Sequence, residues 1–104
     1  MHRKAFKMHL FPGKAEEYKR RHDEIWSELA TLLKETGISE YSIFLDEATN
    51  VLFGVMNVTD DVKLNELPNH PVMQRWWAFM SDIMETNTDH SPVSVNLEEV
   101  FYLP

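Results

Sequence analysis

Two hydrophobic periods alternate along the chain. Between Arg3 and Phe11 the period is close to two, with Phe6, Met8 and Leu10 on one side and Ala5, Lys7, His9 and Phe11 on the other. That spacing predicts a strand, because successive side chains of an extended backbone point to opposite faces. Pro12-Gly13 ends it. From Lys14 to about Glu35 the apolar residues Ala15, Tyr18, Ile25, Trp26, Leu29 and Leu33 recur at helical intervals. Glu16 with Arg20 and Glu17 with Arg21 form i,i+4 pairs in the favourable orientation, and Gly37 supplies a C-terminal stop. Two β-rich runs, Tyr41 to Asp46 and Val51 to Val58, flank Glu47-Ala48-Thr49-Asn50 and predict a hairpin. Asp60 can cap a short helical stretch toward Leu67 that Pro68 ends, and Pro71 suits the first position of a helix through Val72, Trp76, Phe79, Met80 and Ile83. After the polar, turn-rich segment from Thr86 to Pro92, a last strand from Val93 to Leu103 alternates Val93, Val95, Leu97, Phe101 and Leu103 against Ser94, Asn96 and Glu98.

The order β-α-β-β-α-β predicts an α+β fold of the ferredoxin-like kind: one antiparallel sheet with the helices on one face. Such a sheet leaves its other face open, and an open face normally carries polar residues. Here the second and third strands are apolar on both sides. Ile43 and Leu45 oppose Phe44, while Val51, Phe53 and Val55 oppose Leu52, Met56 and Val58. The expectation is a homodimer in which a second copy covers the helix-free face, a dimeric α+β barrel.

Size and composition narrow the partners. The chain has 104 residues, 43% hydrophobic and 26% charged, which fits a single domain spanning residues 1–104 and excludes disordered and low-complexity classes. Without cysteine, its core rests on hydrophobic packing alone. Ten Lys and Arg against seventeen Asp and Glu give 10 − 17 = −7, which argues against nucleic acid and against an anionic membrane surface. A neutral small molecule is the better fit. Lys7 and His9 interrupt the apolar run that a signal peptide requires, and no 18-residue apolar stretch exists, so the expected location is cytoplasmic. In that setting the Asn57-Val58-Thr59 glycosylation pattern is a chance match.

Candidate chemistry centres on two helical faces. On a wheel of about 100° per residue starting at Tyr18, His22 falls inside the apolar stripe, so Tyr18 and His22 point together at the core or at a cleft opening into it. Two readings stand: a packed core histidine, or a general acid or base whose ordinary titration near neutral pH suits proton exchange. On the second long helix Trp76 lies in the stripe, whereas Trp77 stands about 100° away. Two adjacent tryptophans cannot both face the core centre; Trp77 is either a boundary residue packed under a loop or partner subunit, or the wall of a ligand cleft. Metal chemistry finds no support in the spacing of His2, His9, His22, His70 and His90. Asp89-His90-Ser91 has triad residue types, but neighbours in one short loop do not aim at one another. No phosphate loop or dinucleotide fingerprint is present.

Longer stretches carry a resemblance: Arg3-Lys4-Ala5-Phe6, Glu17 to His22 followed by Ile25-Trp26, Tyr41 to Asp46, Gln74-Arg75-Trp76-Trp77, Ser91 to Ser94, and Glu99 to Pro104. Over essentially its whole length the sequence resembles the L-rhamnose mutarotase family. The resemblance implies a dimeric α+β barrel that interconverts the α and β anomers of L-rhamnose by acid–base ring opening and closure, with no cofactor and no metal. It further implies that His22 is the proton donor and that Tyr18, Tyr41, Trp76 and Trp77 line the sugar site. The base stays open among a tyrosine hydroxyl, a carboxylate such as Asp23, and water. Two other classes share the topology or the aromatic site: a dimeric α+β barrel monooxygenase of the haem- or quinol-oxidising kind, and a non-catalytic sugar-binding module. A Soret shift with hemin would mark the first; sugar binding without faster anomer exchange would mark the second.

Overall fold

A computed structural model describes residues 2–104. Strand β1 (His2–His9) leads through the Pro12-Gly13 turn into helices α1 (Ala15–Asp23) and α2 (Ser27–Glu35). The hairpin of β2 (Ile38–Asp46) and β3 (Val51–Val58) follows, then α3 (Asp61–Glu66), a 3₁₀ turn over Leu67–Asn69, α4 (Pro71–Met80) and β4 (Val95–Leu97). The sheet is antiparallel throughout, in the order β2-β3-β1-β4. This is the ferredoxin-like α+β arrangement expected from the alternating periods.

Local chemistry explains most boundaries. Gly37 follows α2 with a φ of 92°, and a Cβ there would collide with the Thr59 hydroxyl, so only glycine ends the helix this way. Asp60 caps α3 by accepting from the Val62 and Lys63 amides at 3.0 and 3.1 Å. Pro71 opens α4, whose first turn is capped by the His70 ring nitrogen accepting from the Val72 amide at 3.2 Å.

Three elements depart from the sequence pattern. The helix expected from Lys14 to Glu35 is two nine-residue helices. The break falls at Glu24-Ile25-Trp26, where the Ile25 amide bonds back to the His22 carbonyl at 3.2 Å and Trp26 turns extended with a ψ of 133°. Neither glycine nor proline marks it; the bend swings the Trp26 indole into an aromatic cluster with Trp76 and Phe79. The second departure is a bulge in β2: Ser39 pairs with Asn57 but Ser42 with Val55, so one extra residue is inserted where Glu40 adopts a φ of 50°. The insertion shifts the alternation by one, so that Ile38, before the bulge, shares a face with Tyr41, Ile43 and Leu45 after it. Third, the strand expected from Val93 to Leu103 pairs only over Val95–Leu97. Beyond Leu97 the chain runs on without a partner strand, with Phe101 and Leu103 each 77% exposed, and is tied back where the Arg3 guanidinium lies 4.1 Å over the Tyr102 ring.

The core lies between the sheet and the helical layer, where Met8, Leu10, Leu29, Leu52, Trp76, Met80 and Ile83 are buried. On the helix-free face Phe44 is 63% exposed beside Phe53 and Val55 of the neighbouring strand, and Val95 and Leu97 are exposed at the opposite edge of the sheet. No helix among the described residues is long and apolar enough to cross a membrane.

Candidate active site

The sheet and helices do not close on one another completely. Between them lies a cavity of about 1270 Å³ whose lining includes all five side chains singled out in the sequence: Tyr18 and His22 from α1, Tyr41 from β2, and Trp76 and Trp77 from α4. A second concavity, about 340 Å³ around Glu28 and His70, is shallow and contains none of them.

Tyr18 and His22 are one helical turn apart, and their rings stack with centroids 4.3 Å apart. The Trp76 and imidazole rings meet edge to face, with centroids 5.4 Å apart and planes at 89°. Trp76 is itself buried, held edge-on by Trp26 at 5.1 Å and by Phe79 at 5.7 Å. It therefore acts as packing and as a wall for the histidine at once. Trp77, at the edge of the helical layer, is half-buried and faces the cavity. From the opposite side, Tyr41 meets Phe6 edge to face at 6.2 Å.

The histidine has one free nitrogen. Its Nδ1 lies 3.0 Å from the Tyr18 carbonyl oxygen, which can only accept, so Nδ1 carries the hydrogen and Nε2 keeps the lone pair. Burial pushes the imidazole below its ordinary value of 6.5, outweighing the opposite pull of the Tyr18 carbonyl and Asp23. At neutral pH His22 is uncharged, with Nε2 as its only proton-accepting atom. Burial holds both tyrosines in the protonated form. The Tyr18 hydroxyl is raised by burial and by Tyr41, and that of Tyr41 is pushed up to about 12 even though the residue as a whole is 38% exposed. The two phenols are thus hydrogen-bond donors rather than bases.

Sequence reasoning missed several lining groups. In β4 the polar row of the alternation faces the cavity: Asn96 pairs with Phe6 and shares its side, while Val95 and Leu97 look out from the helix-free face. Ser94, Asn87 and Ser91 line the same rim. Phe6 lies flat because Gly54 has no side chain; a Cβ at Gly54 would come within 2.5 Å of the Phe6 ring. The Phe6-Gly54 cross-strand pair was visible only once the register was known. Among the described residues, no group of three or more His, Cys, Asp or Glu is arranged to hold a metal ion.

Comparison with known proteins gives the chain's family. A family profile described as L-rhamnose mutarotase matches residues 3–103. An L-rhamnose mutarotase of Sinorhizobium fredii is 60% identical over 103 residues, 99% of each chain. One from Lachnoclostridium phytofermentans is 53% identical over the same length and coverage. The crystal structure of an L-rhamnose mutarotase from Formosa agariphila superposes with a TM-score of 0.93 at 52% identity over the whole of both chains. A Pseudomonas aeruginosa protein of 16% identity, TM-score 0.55, covering 95% of this chain and 93% of its own, shares the fold alone. The chain belongs to the L-rhamnose mutarotase family.

Proposed function

We propose that this protein interconverts the α and β anomers of L-rhamnose, with His22 as the residue that exchanges the proton. One observation carries the reading: an uncharged imidazole, fixed through Nδ1 on the Tyr18 carbonyl at 3.0 Å, lines an aromatic cavity with Nε2 as its remaining nitrogen. Ring opening needs a base at the anomeric hydroxyl and a proton donor at the ring oxygen. Nε2 takes the anomeric proton, the O1 electron pair forms the C1=O1 bond, and the C1–O5 bond breaks as O5 receives a proton from a phenol or from water. The aldehyde turns about C1–C2; on closure O5 attacks C1 and gives its proton back to the phenolate or hydroxide, while Nε2 returns its proton to O1. In the closing half-reaction His22 is the proton donor, which reconciles the donor role implied by the family resemblance with a histidine that rests uncharged.

Tyr18 and Tyr41, kept protonated, are suited to donate hydrogen bonds to sugar oxygens. Trp77, with Trp76 behind it, offers apolar surface to the methyl group and C–H face of a 6-deoxy sugar. Every atom of this cycle is supplied by sugar, side chains and water, so no cofactor is called for.

The active particle is a homodimer in this reading, because the helix-free face leaves Phe44, Val95 and Leu97 exposed at 63, 49 and 39% in one protomer. Magnetisation-transfer NMR tests the activity: the protein should accelerate exchange between the two anomeric signals of L-rhamnose. A panel with L-mannose, L-fucose and L-lyxose fixes the preference. Binding without accelerated exchange would identify a sugar-binding module instead, and a Soret shift with hemin would identify a haem-dependent relative.

A further inference from the structure

Helix α1 carries His22 in its last turn, yet it is a free-standing nine-residue helix, broken from α2 at Glu24-Ile25-Trp26. Its orientation is therefore not inherited from α2. The opposing aromatic wall stands on α4, and some contact between α1 and α4 must fix how far His22 stands from Trp76. Arg21, the residue before His22, makes that contact. Its side chain is only 10% exposed. Nη1 donates to the Phe79 carbonyl at the end of α4 and to Asp82 Oδ1, both at 2.8 Å, and Nη2 donates to Asp82 Oδ2 at 3.1 Å. Nε donates back along α1 to Glu17 at 2.7 Å, and the guanidinium plane lies 4.4 Å over the Phe79 ring.

We infer that Arg21 and Asp82 form a clamp that positions His22 against the α4 aromatic wall, so that both are positioning residues for proton exchange; this rests on the function proposed above. The fork geometry suits the task. A bidentate guanidinium–carboxylate pair fixes direction as well as distance, whereas an ammonium fixes only distance. Phe79 joins the two sides: its carbonyl and ring receive Arg21, and the same ring packs on Trp76 and Trp26. The imidazole edge contact with Trp76 is thus linked to the clamp through one residue. Both carboxylates stay ionised well into acid. Hydrogen bonds from Arg20 and then Arg21 hold Glu17 at about 2, and the Arg21 bond holds Asp82 below its usual range.

Asp82→Ala is the first test, because the Asp82 side chain is 65% exposed and its loss leaves no cavity. Arg21→Lys keeps the charge but loses the fork. Measured by anomer exchange well below the unfolding midpoint, each variant should lose about tenfold in kcat with KM held within about twofold, since misplacing a catalytic group costs turnover before it costs binding. In a His22→Ala background, Asp82→Ala should cause no further loss, because there is no longer an imidazole to misplace. Parental kcat in Asp82→Ala, or a loss that persists undiminished without His22, would overturn the clamp while leaving the proposed function standing. Full exchange in His22→Ala alone would overturn the role of His22, and no accelerated exchange by the parent protein would overturn the proposed function itself.

Discussion

Acidification separates the two orders in which His22 can move its proton. Burial holds the imidazole below 6.5, so at pH 7.5 under about one molecule in ten is protonated and the base-first pathway already runs near its plateau. Lowering the pH removes the lone pair on Nε2. The rate should therefore hold or fall between pH 7.5 and 5.5, by at most about tenfold, and should decline about tenfold per unit once the pH is below the folded-state value. A histidine that had to begin as the acid would show the opposite slope, gaining up to about tenfold per unit as the pH is lowered toward its titration. The assay is kcat/KM for anomer exchange by magnetisation transfer, corrected for the uncatalysed reaction at each pH. Stability runs in the same direction and must be followed alongside. With the folded value depressed, the unfolded chain binds more protons below 6.5, so His22 costs stability progressively as the pH falls through that range and stops costing more below its folded value. Circular dichroism at each pH shows whether activity is lost ahead of the fold. A rate that rises on acidification, with the fold intact, would refute the base-first assignment.

Other expectations follow from the same geometry. Trp77→Ala removes one apolar wall without disturbing the buried Trp76, and should raise KM roughly two- to tenfold, as fits about 0.5–1.5 kcal/mol for an aromatic contact, with kcat nearly unchanged; steady-state exchange against sugar concentration measures it. Gly37→Ala forces a side chain into a φ of 92° and against Thr59. The strain of about 1–2 kcal/mol should lower Tm by about 5–15 °C in a calorimetric scan while leaving exchange at 20 °C intact. Phe44→Asp places a charge among the exposed apolar residues of the helix-free face, and light scattering at micromolar concentration should give the monomer mass for this variant and the dimer mass for the parent.

The order of elements along the chain and the placement of Tyr18, His22 and Trp77 were legible because they depend on local periodicity: three or four residues of spacing decide which side of a helix a group occupies. Gly37, Asp60 and Pro71 were equally legible, each being the residue type its backbone position demands. Tyr41 was not. It shares a face with Ile43 and Leu45 by plain alternation, but that face reads as core, and which part of it borders a cavity is set by tertiary packing rather than by spacing. The α1–α2 break was hidden for a similar reason. Its driving force is the burial of Trp26 against Trp76 and Phe79, some fifty residues away in sequence, rather than any local breaker. The last strand shows the converse error: alternation continued past Leu97, but a strand needs a neighbour, and within one protomer β1 offers pairing only to residues 95–97. The Arg21–Asp82 pair spans 61 positions and lay beyond any reading by spacing.

The central claim is that Nε2 of His22 carries the proton, and a single substitution tests it. His22→Gln retains a polar side chain of similar reach but cannot exchange protons near neutral pH. Magnetisation transfer between the anomeric signals of L-rhamnose, with the parent and with a folded His22→Gln variant at pH 7.5, should show catalysed exchange reduced by roughly 10²–10⁴-fold. Exchange within a factor of about two of the parent would contradict the account and place the chemistry on another group in the cavity.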